Sequence, residues 1–384
     1  MRNGQHEGIG DVKICFYNVT ASFIPGGLET YCWEAGRALA RRGHDVTIVA
    51  GDRGSARHRE VKLVQFPFRI EQDWPDLGTR FRRLMERLSF AGHSLDHLAR
   101  AGYDAVIVNK PFDFPILWRA RRKGLTAQTL FRSGGTDFFA GDRMFAGAIR
   151  HWVSASRYNA AQITERYGRP VQVVHNGVDT DVFRPQSRDA ALRRSSLGAA
   201  PEDCLVASAG RLVGWKGTRV VIEALAQLPP RFRGLVIGEG SEEQRLRELA
   251  RTLGIGDRVR FIGRVPHTEL PLVLSQCDLF VQPSIGEEAF GISVVEAMAC
   301  GLPVLASNNG GLPEIVVEGE TGHLLPPGKV AAWREAIGRV GADGALLRRL
   351  GGAGRSRAET EFTWAANAEK LEAIFAEGAS CAAS

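Results

Sequence analysis

The chain has 384 residues, 44% of them hydrophobic and 24% charged, with a formal net charge of +6. That length exceeds what one hydrophobic core normally organises, and the composition is that of an ordinary globular protein, not a disordered or fibrous one. The longest apolar runs, such as Ala105–Val108 and Leu279–Val281, are strand-sized and far short of the roughly 18 residues that a membrane span needs. The polar opening stretch lacks the apolar core of a secretory signal.

In chain order, strand-like runs fall at 12–19, 45–50, 61–68, 105–109, 127–133, 151–156 and 171–176. Helix-like runs lie between them, near 28–42, 79–100, 112–123, 142–150 and 157–167. A turn-forming stretch follows at 176–187, with Asn176-Gly177 and Pro185, and the alternation then restarts. Strands are expected at 204–210, 234–239, 259–265, 279–284 and 303–307, with helices near 218–228, 241–253, 267–276 and 291–300 and several more from 329 onward. Alternation of this kind predicts an α/β protein of two doubly wound, Rossmann-like domains facing across a cleft, divided as 1–180 and 181–363. Ligands of such sheets bind at the carboxyl ends of the strands.

Charge is unevenly spread. Residues 1–183 carry 26 Lys and Arg against 19 Asp and Glu, whereas 184–384 carry 23 against 24. Within the basic half, Phe81, Leu84, Met85 and Leu88 recur at helical spacing beside Arg80, Arg83 and Arg87. This is a basic amphipathic helix, able to rest on an anionic membrane surface or to serve as an ordinary surface helix with its apolar stripe in the core. Nucleic acid is not expected as a partner, because aromatic residues do not interleave with the basic ones. The cysteines, Cys15, Cys32, Cys204, Cys277, Cys300 and Cys381, show no metal-binding spacing and read as free thiols of a reducing cytoplasm.

The chemistry gathers in the second half. After the strand ending at Gly210, Arg211 and Lys216 share a glycine-rich loop before a helix, a setting where backbone N–H groups favour anions and the two side chains could clamp a diphosphate. Lys216 is followed by Gly217, not Ser or Thr, so an ATP-binding P-loop is excluded. Gly238-Glu239-Gly240 lacks the third glycine of a dinucleotide fingerprint. Asp179-Thr180-Asp181 resembles a metal-binding Asp-x-Asp but sits in turn chemistry, and no metal is expected. Gly26 and Gly27 head the first helix, where glycine admits a close ligand or simply a tight turn.

Glu288 and Glu296 stand eight positions apart, around a helix start near Gly291. That puts Glu288 on the loop and Glu296 roughly 7–8 Å along the helix axis. The N–H groups of Phe290, Gly291 and Ile292 lie between them as helix-end donors. A carboxylate, an anion site and a second carboxylate suit a nucleotide-sugar, with hydroxyls at both ends and phosphates in its middle. A glycosidase pair would need neither the anion site nor the Arg/Lys clamp.

The run from Glu288 to Ser307, "EEAFGISVVEAMACGLPVLAS" with its leading Glu287, resembles the signature of GT-B glycosyltransferases of family 4. "GGLPEIVVEGETGHLLPP" (310–327), "GRLVGWKG", "VHNGVDTDVF" and the early "PGG" follow the family's order. The resemblance implies a retaining, metal-independent enzyme without cofactor, using a UDP- or GDP-linked sugar. It would move a hexose-type sugar to a glycolipid or polysaccharide hydroxyl, in the cytoplasm or on the inner membrane face.

By the same resemblance Arg211 and Lys216 bind the diphosphate, Glu288 the sugar hydroxyls and Glu296 the ribose. Phe290, Gly291 and Ile292 lie near the phosphates, and the backbone at Arg264 and Val265 meets the base. Gly26 and Gly27 line the donor phosphate and acceptor, and the C-terminal helix 364–378 packs back on the acceptor-binding first domain. One departure stands out: the family's His-Gly-x-Asp element is here Gly134-Gly135-Thr136-Asp137. Either Arg132 fills the place of the histidine, or the donor sugar differs there. The alternatives are a nucleotide-sugar-binding protein with impaired catalysis and a nucleotide-sugar epimerase.

Overall fold

The computed structural model describes residues 11–24, 26–135, 137–186 and 194–380. The opening tail, Pro25, Thr136, Ser187 and Cys381, all named above, lie outside that description. The chain forms two compact units, Met1–Asn176 with Trp364–Ser384, and Gly177–Thr363.

The first unit holds β1 (Lys13–Tyr17), β2 (Asp45–Gly51), β3 (Lys62–Phe66), β4 (Ala105–Val108), β5 (Gln128–Ser133), β6 (His151–Ser154) and β7 (Gln172–Val173). They pair in the order β3-β2-β1-β4-β5-β6-β7, every pair parallel, so the strand order reverses between β1 and β4. The helices α1 (Gly27–Arg41), α2 (Thr79–Arg100), α3 (Phe114–Arg122), α4 (Asp142–Phe145) and α5 (Arg157–Tyr167) supply the crossovers. Helices cover both faces of such a sheet, which is why β1 and β4 read as unbroken apolar runs and are buried almost throughout.

The second unit repeats the design with β8 (Cys204–Ala209), β9 (Phe232–Ile237), β10 (Val259–Phe261), β11 (Leu279–Gln282), β12 (Val304–Ser307) and β13 (Gly322–Leu325). Their order is β10-β9-β8-β11-β12-β13, again parallel, with the reversal between β8 and β11. Its helices are α6 (Thr218–Ala226), α7 (Glu243–Thr252), α8 (Leu270–Leu274), α9 (Ile292–Ala299), α10 (Val330–Ala342) and α11 (Gly344–Glu361). Val206, Val236, Leu279, Val281 and Leu305 meet α6 and α10 side chains such as Ile222, Trp333 and Ile337 in one core.

The final helix, α12 (Trp364–Ser380), belongs to the first unit. Trp364, Ala368, Leu371, Ile374 and Phe375 join Tyr31, Ala35 and Leu39 of α1 in a shared apolar cluster. Glu372 anchors the contact, accepting hydrogen bonds from Arg42 Nε and Nη2 at 2.6 and 2.7 Å and lying 2.9 Å from His44 Nε2.

Several expectations need correction. β13 was not anticipated, and the strand expected at 171–176 is reduced to the two residues of β7. The helix expected at 142–150 is only α4 and a following turn of 3-10 helix, and the chain is extended by Ile149 ahead of β6; Asp142 at the head of α4 is buried and held by Arg166 and Tyr167 from α5. The basic face of α2 is only partly open. Arg87 is 7% exposed and paired with Asp113 at 2.6 Å, and Arg83 is engaged by Asp137 at 3.3 Å and Glu71 at 3.7 Å. Asp113, distant in sequence, draws Arg87 inward, whereas Arg83 stays 39% exposed, Arg80 is exposed and Leu88 is 36% exposed. No helix among the described residues is long and apolar enough to cross a membrane.

Truncating the fully buried Leu371 to alanine removes a core side chain, and we expect it to cost the first unit about 2–5 kcal/mol, read as a lower midpoint in chemical denaturation. Glu372 gives a pH signature. Burial pushes its carboxyl up, but the bonds and charges of Arg42 and His44 outweigh that and hold it below the ordinary value. The folded value being the lower, its stabilisation is complete above the unfolded carboxyl pKa of about 4.3 and is lost as pH falls through the folded one. Stability of Glu372→Gln should therefore fall less steeply than the parent's on acidification.

Candidate active site

In the second unit the loops after β8, β9, β10 and β11 lie against one another at the carboxyl edge of the sheet. The Trp215 carbonyl accepts hydrogen bonds from Ile285 and Gly286 N–H at 2.8 and 3.0 Å, tying the loop after β8 to the one after β11 across the strand reversal. Gly217, at φ 71°, is the hinge of that approach, since a Cβ there would stand 2.0 Å from the Pro283 carbonyl oxygen. No other residue type combines that left-handed conformation with that clearance. The glycines of Gly238-Glu239-Gly240 serve the same close packing: added Cβ atoms would meet the carbonyls of Gly210 and Leu212 at 2.0 and 2.2 Å.

This framework sets Lys216 against Glu288. Lys216 Nζ donates to Glu288 Oε2 at 2.6 Å, both side chains being about seven-eighths buried, with exposures of 15% and 13%. The same carboxylate oxygen accepts from Ser284 Oγ at 3.2 Å and Gln282 Nε2 at 3.3 Å. Gln282 Oε1 in turn accepts from Ser293 Oγ at 3.3 Å, so the head of α9 and the end of β11 hold the carboxylate jointly. The Glu288 carbonyl takes the Gly311 N–H at 2.8 Å. Arg211 is exposed on the same loop as Lys216, and no carboxylate pairs with it among the described residues.

Helix α9 begins at Ile292, capped by Gly291 at φ 114°. An added Cβ on Gly291 would lie 2.7 Å from Leu312 Cδ2. Phe290 is buried and packs edge-on against Phe362 at 5.9 Å, so its side chain anchors the loop while its backbone heads the helix. Glu296, one turn into α9 and 6% exposed, lies 2.7 Å from His267 Nε2, on the segment following β10. The His267 ring rests against Phe183 at 4.9 Å. Arg264 and Val265 precede it on that segment, the Arg264 N–H directed at Glu239 Oε1 at 3.4 Å. The two glutamates thus face different neighbours, a lysine on one side and a histidine on the other.

Gln282, Ser284 and His267 are absent from the sequence reading. Their signals were present: a glutamine and a serine closing a strand that is otherwise wholly apolar, and a histidine following Val265-Pro266. Asp179-Thr180-Asp181 is a turn, Asp179 Oδ1 accepting from the N–H groups of Asp181 and Val182 at 3.1 and 3.3 Å.

The remaining residues singled out in the sequence, Gly26, Gly27, Arg132, Gly134 and Asp137, belong to the first unit, at the carboxyl ends of β1 and β5. Gly26 is extended and caps α1. A Cβ on it would come within 2.5 Å of Glu29 Oε2, a carboxylate that also accepts from Thr20 Oγ1 at 2.6 Å. Asp137 is bound by Lys110 as well as Arg83. Burial raises its carboxyl, yet Lys110 and the two α2 arginines outweigh burial and hold it below the ordinary value. At Gly134 a Cβ would stand 2.6 Å from Leu28 Cδ1 and 3.4 Å from Arg132 Nη1. Leu28 already fills the space a larger residue would need.

The family described as Glycosyl transferases group 1 matches residues 189–357, and the one described as Glycosyltransferase Family 4 matches residues 25–182. A D-inositol 3-phosphate glycosyltransferase from Corynebacterium diphtheriae is 35% identical over 387 aligned residues, covering 92% of this chain and 90% of the relative. The chain spans about half the length of other curated relatives of that name, 55% for the one from Streptomyces bingchenggensis, which is 33% identical over 252 residues that make up 62% of this chain. Among solved structures, a sucrose-phosphate synthase from Thermosynechococcus elongatus superposes with a TM-score of 0.83 at 24% identity, covering 96% of this chain and 99% of the other. An Anabaena protein solved with UDP and glucose gives 0.80 at 22% identity, covering 95% and 99%. Two parallel, doubly wound units, a glutamate pair on one helix head and matches that span nearly the whole chain lead to one assignment: the chain belongs to family 4 of the GT-B glycosyltransferases.

Proposed function

We propose that this glycosyltransferase is a retaining, metal-independent enzyme whose second unit binds a nucleotide-sugar donor. The observation that carries the reading is the Lys216–Glu288 contact at 2.6 Å at the head of α9. It brings a cation for phosphate oxygens and an acceptor of sugar hydroxyl bonds within one ligand's length of the helix start. Arg211 and Lys216 take the diphosphate and stabilise the charge that builds on it as the glycosidic bond breaks, the task a metal ion performs elsewhere. Glu288, fixed by Gln282 and Ser284, holds the sugar hydroxyls. Glu296 holds the ribose, with the Arg264 and Val265 backbone beside the base. Phe290, Gly291 and Ile292 give the helix-end N–H groups. The Anabaena neighbour, solved with UDP and glucose, favours a UDP-linked donor over a GDP-linked one.

In the proposed step an acceptor hydroxyl oxygen bonds to the anomeric carbon on the face from which the nucleoside diphosphate leaves. The departing phosphate oxygen takes the hydroxyl proton, so no separate protein base is required. The acceptor binds the first unit, where Gly26, Gly27 and Asp137 lie at the strand ends. Relatives named for D-inositol 3-phosphate favour a phosphorylated polyol over the glycolipid or polysaccharide expected from sequence.

Glu288→Gln and Lys216→Ala should each lower transfer from UDP- or GDP-linked sugars roughly 10²–10³-fold while the circular dichroism spectrum stays unchanged. Full activity in both would sink the proposal, whereas tight calorimetric donor binding without turnover in the parent would favour the binding-protein reading. Contact with an anionic membrane surface is a separate proposal, supported by the arginine excess of residues 1–183 and by exposed Arg80 and Leu77. It predicts more protein sedimenting with anionic than with neutral vesicles at low salt, and equal sedimentation would refute it.

A further inference from the structure

Glu296 is a buried carboxylate held by one donor. Its side chain is 7% exposed, and among the described residues it takes one side-chain hydrogen bond, from His267 Nε2 to Oε1 at 2.7 Å. Glu288 shows the contrast, with three donors converging on one oxygen. An ionised carboxylate can only accept, so the imidazole carries a proton on Nε2. The ring is itself held in place. It rests 4.9 Å from the Phe183 ring, and Phe183 is 1% exposed and fixed through its backbone. The Phe183 N–H donates to the Asp179 carbonyl at 2.8 Å, and the Phe183 carbonyl accepts from Arg355 Nη1 at 2.6 Å. The same Arg355 nitrogen donates to the Ala299 carbonyl at the end of α9, also at 2.6 Å. The Asp179 turn, Phe183, His267 and Glu296 thus form one chain of contacts within the second unit, closed back on α9 by Arg355.

A glutamate side chain turns about several bonds, and a carboxylate left to itself samples many orientations. With Oε1 taken by His267, the other oxygen is oriented before a ligand arrives, and binding then costs less side-chain entropy. We infer that His267 is a positioning residue for the donor: through Glu296 it selects the paired ribose hydroxyls of a ribonucleoside diphosphate. This rests on the reading that Glu296 holds the ribose, and deepens it. His267 acts without touching the reacting atoms. The inference also gives a use to the turn at Asp179-Thr180-Asp181, which seats Phe183 against the imidazole. His267 is 40% exposed, so replacing it leaves the apolar core of the second unit intact.

The test is calorimetric titration of the full chain with UDP and with its dideoxyribose form, which lacks both ribose hydroxyls. GDP and its dideoxyribose form are run beside them, since ribose is common to both nucleotides. The parent should bind the ribose form at least about tenfold more tightly than the dideoxyribose form. His267→Ala should lose about five- to tenfold in affinity for the ribose form and less than about twofold for the other, so that the ratio collapses. His267→Gln, whose amide can donate to the same Glu296 oxygen, should keep most of the ratio. The inference is overturned if His267→Ala keeps the parent's ratio, if it weakens both forms equally, or if glutamine restores none of the ratio. In each of those cases a discriminating parent leaves the ribose reading of Glu296 standing. A parent that binds both forms alike, or neither nucleotide, removes that reading and this inference with it.

Discussion

The approach of the Gly217 backbone to the Pro283 carbonyl governs the second unit's functional edge. Only a residue without Cβ, in a left-handed conformation, lets the loop after β8 fold this tightly against the end of β11. The Trp215 carbonyl can then take two N–H groups from the neighbouring loop, and Lys216 is delivered to Glu288. The lysine contact is a consequence of backbone geometry, because the flexible stem of a lysine has no preference of its own for that place. A site built this way is preorganised by glycine, with its charged residues as passengers on a rigid turn.

Glu288 has one oxygen approached by three donors, from Lys216, Ser284 and Gln282. Such a carboxylate is oriented before any ligand arrives, and its remaining lone pairs are directed by the ones already used. Gln282 is the hinge of this arrangement, since its amide reaches β11's own carboxylate neighbour on one side and the Ser293 hydroxyl of α9 on the other. Binding a polyhydroxylated ligand then costs little side-chain entropy.

Much of this was legible in the sequence. The parallel sheets announced themselves as unbroken apolar runs, and the glutamate spacing placed Glu288 on a loop and Glu296 in a helix, as found. What stayed hidden depends on contacts distant along the chain. Arg87 read as part of an exposed basic face because Asp113, which draws it inward, is 26 positions away. β13 escaped notice because Gly322–Leu325 contains one strong apolar pair and a histidine, and becomes a strand only by pairing with β12. The opposite error occurred at 171–176, where only Gln172 and Val173 form a strand, paired with Val153 and Ser154 of β6. Arg132 was named for its closeness to Gly134, but nothing local to β5 shows that its cation would be buried against the Tyr31 ring.

The thiols have a practical corollary. Cys15 and Cys32 lie in the core of the first unit, and Cys204, Cys277 and Cys300 lie buried in the second. Burial pushes the Cys32 thiol up to about 12 and the Cys15 and Cys300 thiols higher still, so the nucleophilic thiolate is scarce at neutral pH in the folded chain. Alkylation of any of these five sulfurs therefore has to wait for the surrounding core to open. Identifying which cysteines have been labelled after a timed exposure to an alkylating reagent would report how often each unit opens, separately and without any engineered label.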